Sequence, residues 1–190
     1  MELREVIRQR RSVRKYKPEP VARELLELVL EDACWAPSGE NYQPWHFVAL
    51  TKQEDLDSLN QVMSAAAAAM EPVLRERFAG HQEVVAETTR FIRTLGGAPV
   101  CILVFLRKVY PNRDSALAGT AAAIENLLLS ACDQGLGTCW LGAPVYSGGG
   151  RWVTERFGPE EGELVGMISL GYPDHEPKAV RRKPGRWEIR

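Results

Sequence analysis

Hydrophobic residues recur along this chain at two spacings, and the spacing changes several times. Leu3, Val6 and Ile7 share a helical stripe with Arg10, predicting a short amphipathic helix. Ser12 to Pro18 reads as extended, because Pro18 and Pro20 disfavour helix. A second helix is expected over Ala22–Ala36, where Ala22, Leu25, Leu26, Val29 and Ala33 form one stripe, until Pro37 and Gly39 break it. Trp45–Leu50 is apolar, aromatic and β-branched, the pattern of a buried strand. From Gln53 to Leu95 the pattern is mostly helical, with Ala65–Ala69 a strong helix former and Pro72 expected to kink or restart the run. Gly96, Gly97 and Pro99 end it, and Val100–Leu106 follows as the clearest buried strand. Ser115 to Gln134 is apolar nearly all round, predicting a helix in a core or a subunit interface, with Gly135 as its cap. Short strands are expected at Thr138–Leu141 and Leu164–Leu170, separated by a glycine-rich loop and a helical stretch near Arg151–Phe157. Helices interleaved with about four strands predict an α+β or α/β fold around a small sheet.

Composition narrows the function classes. At 190 residues, 45% hydrophobic and 26% charged, the chain matches one ordinary globular domain spanning residues 1–190. Twenty-four Lys and Arg against 25 Asp and Glu leave a net charge of −1, which argues against a general nucleic-acid binder. No apolar run approaches the ~20 residues of a membrane span, and the N-terminus lacks a secretory layout, so a cytoplasmic location is expected. Cys34, Cys101, Cys132 and Cys139 include no C-x-x-C pair, and His46, His81 and His175 are isolated. Buried reduced thiols are therefore expected in place of a metal site or disulfide framework, with His46 structural in its apolar run.

Four segments carry chemistry. In Arg10-Arg11-Ser12-Val13-Arg14-Lys15 an extended backbone points Arg10, Ser12 and Arg14 to one side and Arg11 and Val13 to the other. Two guanidiniums flanking a hydroxyl suit a phosphate, although cations at a helix end also complement its dipole. Ala36-Pro37-Ser38-Gly39-Glu40-Asn41-Tyr42-Gln43-Pro44-Trp45 is a loop bounded by prolines; it can aim Ser, Asn and Gln at a planar polar ligand, or serve as an ordinary turn. Gly135-Leu136-Gly137-Thr138-Cys139-Trp140-Leu141-Gly142 fails the dinucleotide fingerprint, since its glycines follow a helix, but it permits close backbone approach near Trp140–Gly142. Val180-Arg181-Arg182-Lys183-Pro184 is a basic run that either closes over a phosphate or stays solvated.

In this order, and together with Ala123-Ile124-Glu125-Asn126-Leu127-Leu128-Leu129-Ser130-Ala131 and Leu170-Gly171-Tyr172-Pro173, these segments resemble the FMN-dependent nitroreductase family over nearly the whole chain. The variable stretch Gln53–Gly97 lies outside the resemblance. It implies an α+β nitroreductase-like fold: a small central mixed sheet surrounded by helices, in a homodimer with active sites at the interface. It further implies that Arg10, Arg11, Ser12 and Arg14 of one chain meet Pro37, Ser38, Gly39, Asn41 and Gln43 of the other around one FMN. Arg10 and Arg182 would pair with the phosphate, and Ser12 and Arg14 would lie nearer the ribityl chain and pyrimidine edge. Trp140, Leu141 and Gly142 would approach the flavin closely, with backbone N–H groups around Leu141 and Gly142 the candidates for a hydrogen bond to N5. The implied reaction is ping-pong: NADH or NADPH reduces the flavin, then a nitroaromatic, quinone or similar electron-poor acceptor takes its place, with no obligate catalytic side chain. The same scaffold also accommodates reductive dehalogenation, ene reduction, dehydrogenation or non-catalytic flavin binding. Two departures are Val180, where a basic residue is common, and Glu40 and Tyr42, which fill loop positions often held by smaller or neutral residues. An acid at position 40 would disfavour anionic acceptors.

Overall fold

The computed structural model describes residues 1–107, 112–160 and 162–190. Among the described residues seven α-helices surround one sheet: α1 (Leu3–Gln9), α2 (Arg23–Cys34), α3 (Gln53–Arg77), α4 (Gln82–Thr94), α5 (Arg113–Asp133), α6 (Ala143–Tyr146) and α7 (Gly150–Phe157). The strands are β1 (Trp45–Leu50), β2 (Val100–Arg107), β3 (Gly137–Leu141) and β4 (Gly162–Gly171), in spatial order β1-β2-β4-β3. All three pairings are antiparallel, with Trp45 opposite Leu106, Cys101 opposite Ser169, and Ser169 opposite Cys139. The parallel component of the expected mixed sheet is reduced to an isolated bridge between Ser12 and Thr138.

Strand β2 is a continuous apolar run because helices cover both faces of the sheet. Cys101, Leu103 and Phe105 pack with residues of α3, α4 and α7, whereas Val100, Ile102 and Val104 pack with α2 and α5. Alternate side chains thus feed two cores from one strand. Helix α5 is the one helix among the described residues long and apolar enough to cross a membrane, yet Ala123, Ile124, Leu127 and Ala131 are built into the protein interior. Its ends are specified locally. The Asn112 side chain accepts a hydrogen bond from the Ser115 N–H at 3.0 Å, an N-cap of the usual kind. At the other end Gly135 takes φ +74°. There the Leu136 N–H donates to the Ala131 carbonyl at 2.8 Å and the Gly135 N–H to that of Cys132 at 3.1 Å, a paired glycine termination.

Several expectations need correction. Pro72 neither ends nor restarts its helix: α3 runs through it to Arg77. The missing N–H would have bonded the carbonyl of Ala68, and both residues are exposed, so the lost bond falls on the solvent side of the helix. The break falls instead at residues 78–81, where Gly80 adopts φ +84°. Residues 143–146 of the supposed loop form α6. Strand β1 lies at a sheet edge, so only Trp45 and Leu50 are buried, and His46 is exposed. Cys101 and Cys139 are buried as expected, but Cys132 is half-buried and Cys34 is exposed at the end of α2.

Candidate functional site

The basic segment after α1 is fastened to the outer edge of β3. Ser12 bridges Thr138, and the Val13 N–H donates to the Thr138 carbonyl at 2.9 Å. Val13 turns inward, 4% exposed, against Gly137, where a Cβ would come within 2.7 Å of the valine side chain. Glycine is therefore required at 137 for the segment to lie this close. As the alternation predicts, Ser12 and Arg14 do not share Val13's burial. Arg11 is engaged within the subunit: its Nη1 donates to the carbonyls of Arg8 and Arg10.

Tyr16 anchors the far end. Its hydroxyl lies 2.8 Å from the Val13 carbonyl and 2.8 Å from Ser169 Oγ, and the tyrosine is buried. Burial raises its pKa, overriding the opposing hydrogen bond from Ser169, so the phenol stays protonated. The Tyr16 N–H donates to the Gly96 carbonyl at 3.1 Å, and a Cβ at Gly96 would sit 2.3 Å from the Arg14 carbonyl oxygen. The Arg14 guanidinium lies 5.8 Å above the Phe91 ring, a cation–π contact. It has no carboxylate partner among the described residues, and Arg10 Nε has one, Glu125, at 3.4 Å. Cys139, next along β3, feels the same cations: burial pushes its thiol up, while Arg14, a hydrogen bond with Ser12, and Arg10 pull it down. The structure thus brings Arg10, Ser12, Arg14 and the Gly137–Cys139 part of β3 together. Phe91 and Gly96 join them from the Gln53–Gly97 stretch, which lies outside the motif segments.

Strand β3 ends at Leu141 and Gly142. Leu141 is buried with Cys139 on one face of the sheet. Trp140 alternates to the other face and lies over Gly166, so only its backbone is available beside Leu141. Gly142 faces Tyr146, whose ring would stand 2.5 Å from a Cβ.

The second group lies elsewhere. Ser38 packs against Gly119 of α5, and its hydroxyl accepts from the Gln43 N–H at 2.9 Å. The Gln43 side chain donates to Asn41 Oδ1 at 3.1 Å. Glu40, Asn41 and Gln43 have φ of +51°, +55° and +48°. Among the described residues the other non-glycine with positive φ is Leu95, in the turn beside Arg14. Backbone strain of this kind collects where a surrounding structure holds a functional geometry. Asn41 and Gln43 also line an open groove of about 510 Å³ with Cys34, Trp45 and His46.

This loop leads into β1, whereas the arginines flank β3. The two strands are opposite edges of the sheet, roughly 14 Å apart at the usual strand spacing. No hydrogen bond or ion pair joins Ser38, Asn41 or Gln43 to Arg10, Ser12 or Arg14 among the described residues. Arg182 is not brought to the arginines either. The Tyr16–Pro173 bridge carries the chain past Lys15, but Arg182 lies further on in an exposed, extended tail.

Comparison with known proteins matches the model of the nitroreductase family to residues 7–172. A protein of Bacillus subtilis (strain 168), provisionally named NAD(P)H nitroreductase YfhC, is 30% identical over 187 residues, covering 97% of this chain and 91% of its own. A nitroreductase with bound FMN from Bacteroides fragilis NCTC 9343 superposes with a TM-score of 0.75 at 28% identity, covering 100% and 98% of the two chains. A BluB-like flavoprotein from Clostridium difficile 630 superposes with a TM-score of 0.76, also at 28% identity, covering 97% and 95%.

Proposed function

Since the chain belongs to the nitroreductase family, we propose that it is an FMN-dependent oxidoreductase that draws electrons from NADH or NADPH and reduces nitroaromatics, quinones or similar electron-poor acceptors. The observation that carries this reading is the Arg10–Ser12–Arg14 row fastened at Thr138 to β3, the strand that leads into the Leu141–Gly142 backbone.

The residues fit the cofactor on two grounds. Arg14 has no carboxylate partner among the described residues and Arg10 has one long, half-exposed one, so both cations remain able to meet an anion. The close packing at Gly137 and Gly96 places the segment's backbone with little freedom. Arg10 would hold the phosphate, joined by Arg182 as the exposed tail folds over. Ser12 would hydrogen-bond the ribityl chain. Arg14 would face the pyrimidine edge, its charge favouring the reduced, anionic form. Backbone N–H groups at Leu141 and Gly142 would reach N5. Arg11, committed to backbone carbonyls, would add positive field without direct contact. Bound there, FMN supplies the redox chemistry, with donor oxidation and acceptor reduction as separate half-reactions in a ping-pong order.

A second copy of the chain would supply the other wall. Pro37, Ser38, Gly39, Asn41 and Gln43 stand at the opposite sheet edge, so a cofactor touching both groups needs two subunits. Exposed apolar surface supports the same reading: Trp35 is 80% and Trp187 83% accessible in the isolated subunit.

The test is an absorbance spectrum of the purified full chain, followed by anaerobic addition of NADH and then NADPH. Flavin bands that bleach with either donor are expected. A colourless protein that cannot be reconstituted with FMN would defeat the proposal.

A further inference from the structure

Beyond Leu141 the chain turns at Gly142 into α6, a short helix anchored from beneath. Ala143 and Pro144 are buried, and Val145 packs against the core on the α3 side of the sheet. Pro144 sits in the first helical turn, where a proline's missing N–H costs no hydrogen bond. The Tyr146 N–H donates to the Gly142 carbonyl at 3.1 Å, which closes the helix onto the end of the strand. What this anchored turn presents to solvent is the Tyr146 side chain, 82% exposed.

Helical side chains lean back over the preceding turn, and Tyr146 leans back over Gly142. Its Cε2 stands 2.5 Å from where a Cβ on Gly142 would lie, with Cζ and Cδ2 at 3.2 and 3.3 Å. The backbone at 142 does not itself call for glycine, because φ is −107° and ψ is 2°. The ring calls for it: a side chain at 142 would occupy the same space. The ring edge is thereby held within about 4 Å of the Gly142 Cα, which is one bond of about 1.5 Å from the amide nitrogen. The Tyr146 hydroxyl has no partner among the described residues, so the aromatic ring is the part that this geometry singles out.

Resting on the flavin reading above, which brings the Gly142 N–H to N5, we propose that Tyr146 is a specificity-determining residue of that site. Its ring stands as a wall beside the reactive position and favours planar aromatic acceptors. An electron-poor ring gains from an offset or edge-on contact with the tyrosine, whereas an acceptor without a π-face gains nothing from it.

The test isolates the acceptor step. The full chain loaded with FMN is reduced anaerobically with a stoichiometric amount of dithionite, so that no nicotinamide is present. It is then mixed with p-dinitrobenzene or with ferricyanide, and flavin reoxidation is followed by absorbance. Tyr146→Leu keeps apolar bulk and removes the π-face. It should lower the ratio of second-order rate constants, dinitrobenzene over ferricyanide, by about three- to tenfold. The fall should come from weaker acceptor binding, with the limiting rate at saturating dinitrobenzene little changed. Tyr146→Phe should restore the ratio. FMN content and thermal midpoint show that each variant is folded and loaded. A ratio unchanged in Tyr146→Leu, whether neither rate constant moves or both fall together, overturns the proposal. A parent chain that takes up no FMN would defeat the flavin reading itself, and this inference with it.

Discussion

Replacing Tyr16 by phenylalanine removes one oxygen atom from the core and leaves the ring in place. That oxygen lies 2.8 Å from the Val13 carbonyl, 2.8 Å from Ser169 Oγ and 3.1 Å from the Ser169 carbonyl. One hydroxyl proton serves one acceptor at a time. The arrangement that satisfies most groups has Tyr16 donating to Val13 while the Ser169 hydroxyl donates to Tyr16. Each bond contributes about 1 kcal/mol net, and a buried group left orphaned costs about 1–3 kcal/mol more. Ser169 is 0% exposed, so it has no water to turn to. Tyr16→Phe should therefore cost about 2–4 kcal/mol, and Ser169→Ala, which leaves the bond to Val13 intact, about 1 kcal/mol. In the double variant no serine hydroxyl is stranded, so its cost should fall short of the sum by about 1 kcal/mol or more. Urea unfolding followed by circular dichroism measures all four proteins, at one protein concentration because association would shift apparent stability. Additivity within about 0.5 kcal/mol, or a cost below that for Tyr16→Phe, would refute the reasoning. Because the Val13 carbonyl sits between Ser12 and Arg14, Tyr16→Phe should also weaken FMN binding, and Ser169→Ala should not.

Gly96→Ala sets a methyl against the Arg14 carbonyl at a residue with φ +67°. The strained backbone and the overpacking together predict a loss of about 2–4 kcal/mol and lower FMN retention. Gly80→Ala, at φ +84° with nothing within 4 Å, should cost only about 1 kcal/mol. Equal melting temperatures for the two variants would contradict the packing argument. Burial raises the pKa values of Tyr16, Cys101 and Cys139, so the folded state holds protons that the unfolded chain releases. Their contribution to stability is complete below the unfolded thiol value of about 8.5 and is lost as pH climbs above it. Melting temperature should fall steadily in alkali, and Cys101→Ala should flatten that slope; a parallel slope would exclude the thiol. Glu40→Gln should shift acceptor preference toward anionic compounds, and an unchanged ratio of kcat/KM for charged and neutral acceptors would remove Glu40 from that role.

Strands β1 and β2 and helix α5 were legible because their patterns are local: apolar runs and a glycine stop. Which strand lay at an edge was not, since that depends on partners over fifty residues away. The sequence therefore presented Trp45–Leu50 as buried, and the structure exposes His46. The arginine row was readable from its alternation, but the residues that hold it were not. Tyr16 finds Ser169 across 153 positions, and Arg14 finds Phe91 and Gly96 inside the stretch with the least motif content. Trp140 was grouped with Leu141 and Gly142 by adjacency, whereas strand alternation sends its ring to the other face. Pro72 misled because proline's penalty assumes a carbonyl that must be served from within, and its partner is exposed to solvent.

With the arginine segment and the proline-bounded loop at opposite sheet edges, each pocket of the proposed dimer borrows half its wall from a second copy of the chain. A chain damaged at Arg10 and Arg14 and another damaged at Ser38 and Asn41 would each be inactive alone. In a mixed dimer of the two, one pocket receives both intact halves and the other both damaged ones. Two alleles that fail separately would then complement each other in the same cell, while two lesions in the same half would not.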